Sequence, residues 1–270
     1  MSLLKFVKAH ACGNDFLVIE EAEARGRHVA MAKKLCARNT GIGADGIEFL
    51  DRRGDGSFFL RLFNADGSEA ELSGNGTRCV AAWLATSEGL EKVALGTHGG
   101  VRTCRVVRRE GAAWWIESAM GVPRVMPRKI EVAGVDGVID GAMVNVGNPH
   151  YVIFVETDEF SSHGMSWQEL GAKISVDPMF KFGTNVEFVK VLGEAEIAFR
   201  IYERGCGPTT SSGTGTCASS AASIALRGVA SSLTALAEGG AQMVVWPGNA
   251  AEMMLTGPAE IICTGEVDFD

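Results

Sequence analysis

The sequence has no C-x-x-C pair, no apolar run of the ~18 residues that a membrane span requires, and no excess of basic side chains. Each absence closes off a class of function. The seven cysteines (Cys12, Cys36, Cys79, Cys104, Cys206, Cys217 and Cys263) are odd in number and lack metal-ligand spacing. Neither a disulfide framework nor a zinc site is expected, and a reducing cytoplasm fits. The opening segment, MSLLKFVKAHACGNDF, carries neither the long apolar stretch nor the cleavage site of a signal peptide. With 25 basic against 33 acidic residues the net charge is -8. That argues against nucleic acid and anionic membrane as partners, and leaves small ligands open.

What the chain does have is glycine, 34 of 270 residues, placed at strand ends and before helices rather than in low-complexity runs. Period-two alternation predicts short strands at Glu196 to Tyr202, Trp114 to Glu117, Val144 to Val146, Tyr151 to Val155, Asn185 to Val191 and Gln242 to Trp246. In the first of these, Ile197, Phe199 and Ile201 should share one face. Helices are few: Ala30 to Asn39, Trp167 to Ile174, and two that matter more.

The first of those two follows SGNGTRC (Ser73 to Cys79) and stops at Gly89. The second follows SGTGTC (Ser212 to Cys217) and stops at Gly228. Nine residues before each serine stands a polar residue that opens a turn, Asn64 in one case and Glu203 in the other. The unit of strand, polar turn, Ser-Gly-x-Gly-Thr and small-residue helix therefore occurs twice, 139 residues apart, which reads as a duplication. The expected fold is α+β: two pseudo-symmetric halves, each a mostly antiparallel, strand-rich roll around a central helix. The halves should be residues 1–120, which a C-terminal strand at 259–270 can join, and residues 121–258. The break is expected near Met120 to Pro127.

A helix start offers unpaired N–H groups and the positive end of the dipole, and glycine lets backbone approach an anion closely. Two matched starts suit a carboxylate ligand, while each serine by itself also suits a plain helix cap. Asparagines beside these loops can read both ends of a zwitterion, and Arg204 can hold a carboxylate.

The segments HACGNDF (His10 to Phe16), GIGADG (Gly41 to Gly46), FNADGSE (Phe63 to Glu69), SGNGTRC, GNPH (Gly147 to His150), TNVEF (Thr184 to Phe188), YERG (Tyr202 to Gly205) and SGTGTC together resemble the diaminopimelate epimerase family. They come in the family's order and span nearly the whole chain. The resemblance implies a commonly dimeric isomerase that inverts one α-carbon of diaminopimelate, on the route to lysine and peptidoglycan. It implies no pyridoxal phosphate and no metal. It carries substrate contacts to Asn14, Asn64, Gly74, Asn75, Asn148, Asn185, Glu203, Arg204, Gly213 and Thr214. The catalytic positions carry to Ser73 and Ser212.

Two departures stand out. The family has a substrate-binding glutamine where this chain has Gly46, and a cysteine where it has Ser73 and again where it has Ser212. A thiol at a helix start ionises readily, whereas a serine hydroxyl needs a neighbouring base. Three explanations compete. The serines are natural and work through a modified proton relay; they are replacements made to trap a ligand; or the scaffold has moved to another amino-acid or hydroxy-acid isomerisation or elimination, or to binding without turnover.

Overall fold

The computed structural model describes residues 3–248 and 250–269. Met1, Ser2 and Asp270, at the outer edges of the expected halves, lie outside the described residues. The fold is strand-rich with few helices, and the chain divides into two compact units. One lies within Met1–Ser118 and Thr256–Asp270, and the other is Ala119–Leu255.

The first unit contains β1 (Leu4–Ala11), β2 (Asn14–Glu20), α1 (Glu21–Ala24), α2 (His28–Leu35), β3 (Gly46–Arg52), β4 (Phe58–Asn64), β5 (Glu69–Ala70), α3 (Gly74–Glu88), β6 (Lys92–Thr97), β7 (Gly100–Glu110) and β8 (Ala113–Ala119). The second contains β9 (Arg124–Ile130), β10 (Ile139–Asn145), β11 (Pro149–Phe154), α4 (Trp167–Ser175), β12 (Asn185–Gly193), β13 (Glu196–Glu203), β14 (Gly207–Thr209), α5 (Gly213–Arg227), β15 (Ser232–Ala237) and β16 (Gly240–Val245). The chain ends in β17 (Met254–Val267), which pairs antiparallel with β1.

The pairing pattern of the first unit recurs in the second. β1 and β2 are antiparallel, β2 and β3 parallel, β3 and β4 antiparallel, β4 and β6 parallel, and β6 and β7 antiparallel. In the same order, β10 and β11 are antiparallel, β11 and β12 parallel, β12 and β13 antiparallel, β13 and β15 parallel, and β15 and β16 antiparallel. β3 and β12 are central in this order, and their first five residues are buried without alternation. A strand covered on both faces has no solvent side to keep polar.

α3 packs on β1, β2, β3, β6 and β7, and α5 packs on β9 to β13, β15 and β16. Small side chains on both helices let the strands approach: Cys79, Ala81 and Ala82 in α3, and Cys217, Ala218, Ser219, Ser220, Ala221 and Ala222 in α5 are buried. Ile197, Phe199 and Ile201 share the buried face of β13, the side that alternation assigned to the core. α2 ends earlier than its apolar spacing suggested, at Leu35 rather than Asn39. The chain turns back there, and the Leu35 carbonyl accepts from the N–H groups of Ile42 and Gly43, which closes the helix. Among the described residues no helix is long and apolar enough to cross a membrane.

The two long helices end alike. Gly89 and Gly228 cap them in the left-handed conformation, at φ 68° and 69°. Neither site has anything within 4 Å of an added Cβ, so the barrier to a side chain is backbone strain alone. Gly89→Ala and Gly228→Ala should each lower the unfolding free energy by about 1 kcal/mol in urea denaturation. A neutral or stabilising result at either position would contradict this description of the caps.

Candidate active site

Each unit builds a polar cluster around the start of its long helix. In the first, Ser73 is the N-cap of α3, and the Gly76 N–H donates to its Oγ at 3.0 Å. Arg78, wholly buried, fixes the first helical turn: it donates to the Gly74 carbonyl at 3.2 Å and to Asn75 Oδ1 at 2.5 Å. Asn75 Nδ2 then donates to Asn14 Oδ1 at 3.1 Å, and Asn14 Nδ2 to Asp45 Oδ2 at 2.7 Å. Arg38 joins Asp45 to Asp15, and Lys8 also pairs with Asp15. Burial pushes the Asp15 carboxyl up, but its bonds to Arg38 and Lys8 outweigh that and hold it below the usual carboxylate range. Ser73, Gly74, Asn75 and Asn14 thus form one patch. Asn64 opens the adjoining turn, where the Ala65 N–H donates to the Asp45 carbonyl and Asn64 Nδ2 donates to Ser68 Oγ at 3.0 Å.

The second unit links Ser212, Glu203, Thr214 and Asn148 by side-chain contacts and pairs Asn185 with the Arg204 backbone, while the Arg204 side chain is turned to Phe182. Ser212 caps α5, accepting from the Gly215 N–H at 3.3 Å. Its hydroxyl donates to Glu203 Oε2 at 3.3 Å, and Thr209 donates to Glu203 Oε1 at 2.6 Å. Ser212 Oγ also lies 3.5 Å from Thr214 Oγ1, which accepts from Asn148 Nδ2 at 3.4 Å. Asn185 Oδ1 accepts from the Arg204 N–H at 2.9 Å, and the Arg204 guanidinium donates to the Phe182 carbonyl at 2.9 Å. Gly213 lies between Ser212 and Thr214 in the first turn of α5.

Three buried polar residues escaped the sequence reading as site residues. His150, the last residue of the GNPH segment, lies inside the second unit, with Nδ1 2.5 Å from Glu187 Oε1 and Nε2 2.9 Å from Asn148 Oδ1. Glu187 and Glu48 are both buried. Burial raises the Glu187 carboxyl, and the His150 charge and hydrogen bond offset only part of that rise. Glu48 has no such partner, and burial pushes it from an ordinary 4.5 up to about 8. The two glutamates are 139 residues apart, the same offset that separates Ser73 from Ser212 and Asn64 from Glu203. The available signal was a charge inside an otherwise apolar strand, in IEFL and again in VEFV.

Gly46, where the resemblance expects a glutamine, has little room for a side chain. A Cβ on Gly46 would lie 2.8 Å from the Phe63 carbonyl oxygen and 3.3 Å from a Leu62 methyl, closer than a side chain can be accommodated without movement. Among the described residues there is no group of three or more His, Cys, Asp or Glu side chains placed to hold a metal ion.

The architecture defines a class. A hydroxyproline epimerase from Agrobacterium vitis, solved with trans-4-hydroxy-L-proline, superposes with a TM-score of 0.72 at 15% identity, covering 99% of this chain and 91% of that one. That likeness shows that the two chains share a fold. The sequence model of diaminopimelate epimerase matches residues 6–126 and again 142–262, and the chain belongs to the diaminopimelate epimerase family. Diaminopimelate epimerase of Pelotomaculum thermopropionicum is 33% identical over 98% of this chain and 99% of its own length. That of Methanocella arvoryzae is 36% identical over 100% and 99%.

The buried Glu48 gives a pH test. Its folded-state value is raised, so the folded protein holds the proton more tightly than the unfolded chain does. Stability from this group is present below about pH 4.5 and is lost progressively as pH rises through about 8. Glu48→Gln should leave stability at pH 5 nearly unchanged and raise it by roughly 2–5 kcal/mol at pH 9, measured by chemical denaturation. Equal stability of parent and variant at both pH values would contradict this.

Proposed function

We propose that the chain is a cofactor-independent amino-acid epimerase that interconverts LL- and meso-diaminopimelate, with Ser73 and Ser212 as its two acid–base groups. The supporting observation is the doubled half-site. Each unit sets a serine hydroxyl at the start of a buried helix, inside a cluster of amide and charged side chains suited to a zwitterion. Family membership over nearly the whole chain supplies the substrate class. In this reading one serine takes the α-hydrogen as a proton and the other returns a proton to the same carbon, so either stereoisomer is a substrate. Asn14, Asn64, Gly74 and Asn75 contact the substrate from the first unit, and Asn148, Asn185, Glu203, Arg204, Gly213 and Thr214 from the second. Backbone N–H groups at Gly74–Asn75 and Gly213–Thr214 hold the reacting carboxylate. The reading also takes each unit as an α+β roll wound on its own helix, and the enzyme as a cytoplasmic homodimer that acts on free amino acid, without nucleic acid or membrane as partner.

A serine hydroxyl is a weaker acid than a thiol by several pK units, so little of its basic form is present near neutral pH, and general acid–base contributions are typically ~10² to 10⁴-fold. Ser212 has a carboxylate acceptor in Glu203, the neighbouring base that an activated hydroxyl requires. A second reading, isomerisation or elimination on a different small acid, or binding without turnover, draws on Gly46. There the family's glutamine contact is gone and the Phe63 backbone fills its space.

Replacing Ser73 and Ser212 together by cysteine should raise epimerisation of LL-diaminopimelate at least ~10-fold above the parent. Either single replacement should mainly accelerate α-hydrogen exchange from one stereoisomer. A double variant that binds diaminopimelate but turns it over no faster would remove these serines from the base positions. Arg204→Ala should weaken diaminopimelate binding by ~1.5 kcal/mol or more in calorimetry if its exposed guanidinium pairs with a ligand carboxylate. Unchanged affinity would take Arg204 out of the site.

A further inference from the structure

Arg78 is the largest side chain that the fold buries completely, and it carries a charge. It is the fifth residue of α3 after the Ser73 cap. Side chains on a helix lean back toward its N-terminus, which brings the guanidinium to the first turn. Nη1 donates to the Gly74 carbonyl at 3.2 Å and Nη2 to Asn75 Oδ1 at 2.5 Å, while Nε is buried with no hydrogen-bond partner. Both acceptors are uncharged. Among the described residues, then, no carboxylate takes this charge. Glu48, the buried carboxyl under the same turn, is pushed by burial alone up to about 8, so at neutral pH it is mostly protonated and offsets little.

The placement is unfavourable twice over. A buried cation without a counter-ion is costly, and the N-terminal end of a helix is the positive end of its dipole. Packing alone would be served better by an apolar side chain of similar volume. The neighbouring strand is nonetheless shaped around the group. A Cβ on Gly257 of β17 would lie 3.2 Å from the guanidinium carbon and 3.2 Å from Nε. An anion at the start of α3 removes both penalties at once.

The hydrogen bonds supply a route from the charge to such an anion. The Gly74 carbonyl and the Asn75 N–H belong to one peptide group. Donation to that carbonyl polarises the peptide and makes its N–H a stronger donor. The Thr77 hydroxyl donates to the same carbonyl at 3.0 Å. By holding Asn75 Oδ1, Arg78 also turns Asn75 Nδ2 toward Asn14 Oδ1. At the matching position of the second unit, 139 residues later, stands Cys217, which has no guanidinium. The added positive charge is particular to the first unit.

We propose that Arg78 is the positioning residue that charges the start of α3: through the Gly74–Asn75 peptide and the Asn75 side chain it offsets the negative charge of the ligand's reacting carboxylate. This rests on reading that helix start as the carboxylate seat of the epimerase. Arg78 itself neither gives nor takes a proton. When the α-hydrogen leaves as a proton, the electron pair of the broken C–H bond spreads from the α-carbon into the carboxylate, whose charge grows. The offset from Arg78 grows with it, so the residue counts for more in turnover than in binding.

The test compares R78M, which keeps much of the bulk and loses the charge, with R78K, which keeps the charge. The first arm needs no turnover. Sodium acetate is titrated into nitrogen-15-labelled protein at constant ionic strength, and the N–H resonances of Gly74 and Asn75 are followed. The parent should show saturable shifts at both, R78M should need ~10-fold more acetate or show none, and R78K should recover part of the affinity. No shift in the parent, or the same midpoint in parent and R78M, overturns the proposal. So does an R78M that loses stability in urea while binding acetate as the parent does, since Arg78 is then structural only. In the second arm, R78M should lower kcat for α-deuterium exchange of diaminopimelate ~10²-fold, with a smaller rise in KM, and R78K should restore part of it. Equal kcat in parent and R78M overturns it. A parent that binds acetate at Gly74 and Asn75 but exchanges no α-hydrogen defeats the epimerase reading, and the acetate arm alone then decides the role of Arg78. Should R78M not fold, R78Q gives the same comparison.

Discussion

The first turn of a buried helix has amide hydrogens that no helical carbonyl can accept, and in both units the donor of the third residue finds a serine oxygen. Much of each half-site depends on that bond. It fixes the serine side chain at the helix start and leaves the hydroxyl with one hydrogen to give. In the second unit that hydrogen goes to Glu203, which ties the end of β13 to the start of α5. One atom therefore serves structure and chemistry together. A cysteine at the same place would cap the helix less well and ionise more readily.

The glycine that donates to each serine does a second job. Having no side chain, Gly76 leaves room for the Glu48 carboxyl from the strand beneath, whereas Gly215 leaves room first for the Ile201 side chain, with Glu187 Oε1 3.2 Å from its Cβ position. Burying a carboxyl is costly, and the two units meet the cost differently. Glu187 is bonded to His150 and through it to Asn148, so the group orients a residue of the half-site. Glu48 is left with a raised proton affinity. Duplication followed by divergence at Asn64 and Glu203 gives two halves with one backbone plan and different proton inventories.

Much of this was legible in the chain. The doubled Ser-Gly-x-Gly-Thr loops marked both long helices because the cap at one end and the glycine at the other are local signals. The one-sided burial of Ile197, Phe199 and Ile201 followed from alternation. The end of α2 was not legible, since it is set by Ile42 and Gly43 folding back on Leu35. Glu48 and Glu187 were missed for a related reason. A charge within a strand ordinarily marks a solvent face, and only the strand neighbours of β3 and β12 show that both faces are covered. The crowding at Gly46 was equally hidden, because the Phe63 carbonyl beside it comes from the neighbouring strand.

The central claim is that two serine hydroxyls, Ser212 bonded to the Glu203 carboxylate and Ser73 at the matching helix start, move protons at an amino-acid α-carbon. The most direct test is to incubate the unaltered protein with LL-diaminopimelate in deuterium oxide near pH 8.5 and follow both α-positions by NMR with chiral separation of the products. The account predicts slow appearance of the meso isomer, with deuterium at the inverted carbon and hydrogen kept at the other. Saturable binding of diaminopimelate with both α-hydrogens retained would contradict it, and would make the chain a binder on an epimerase scaffold.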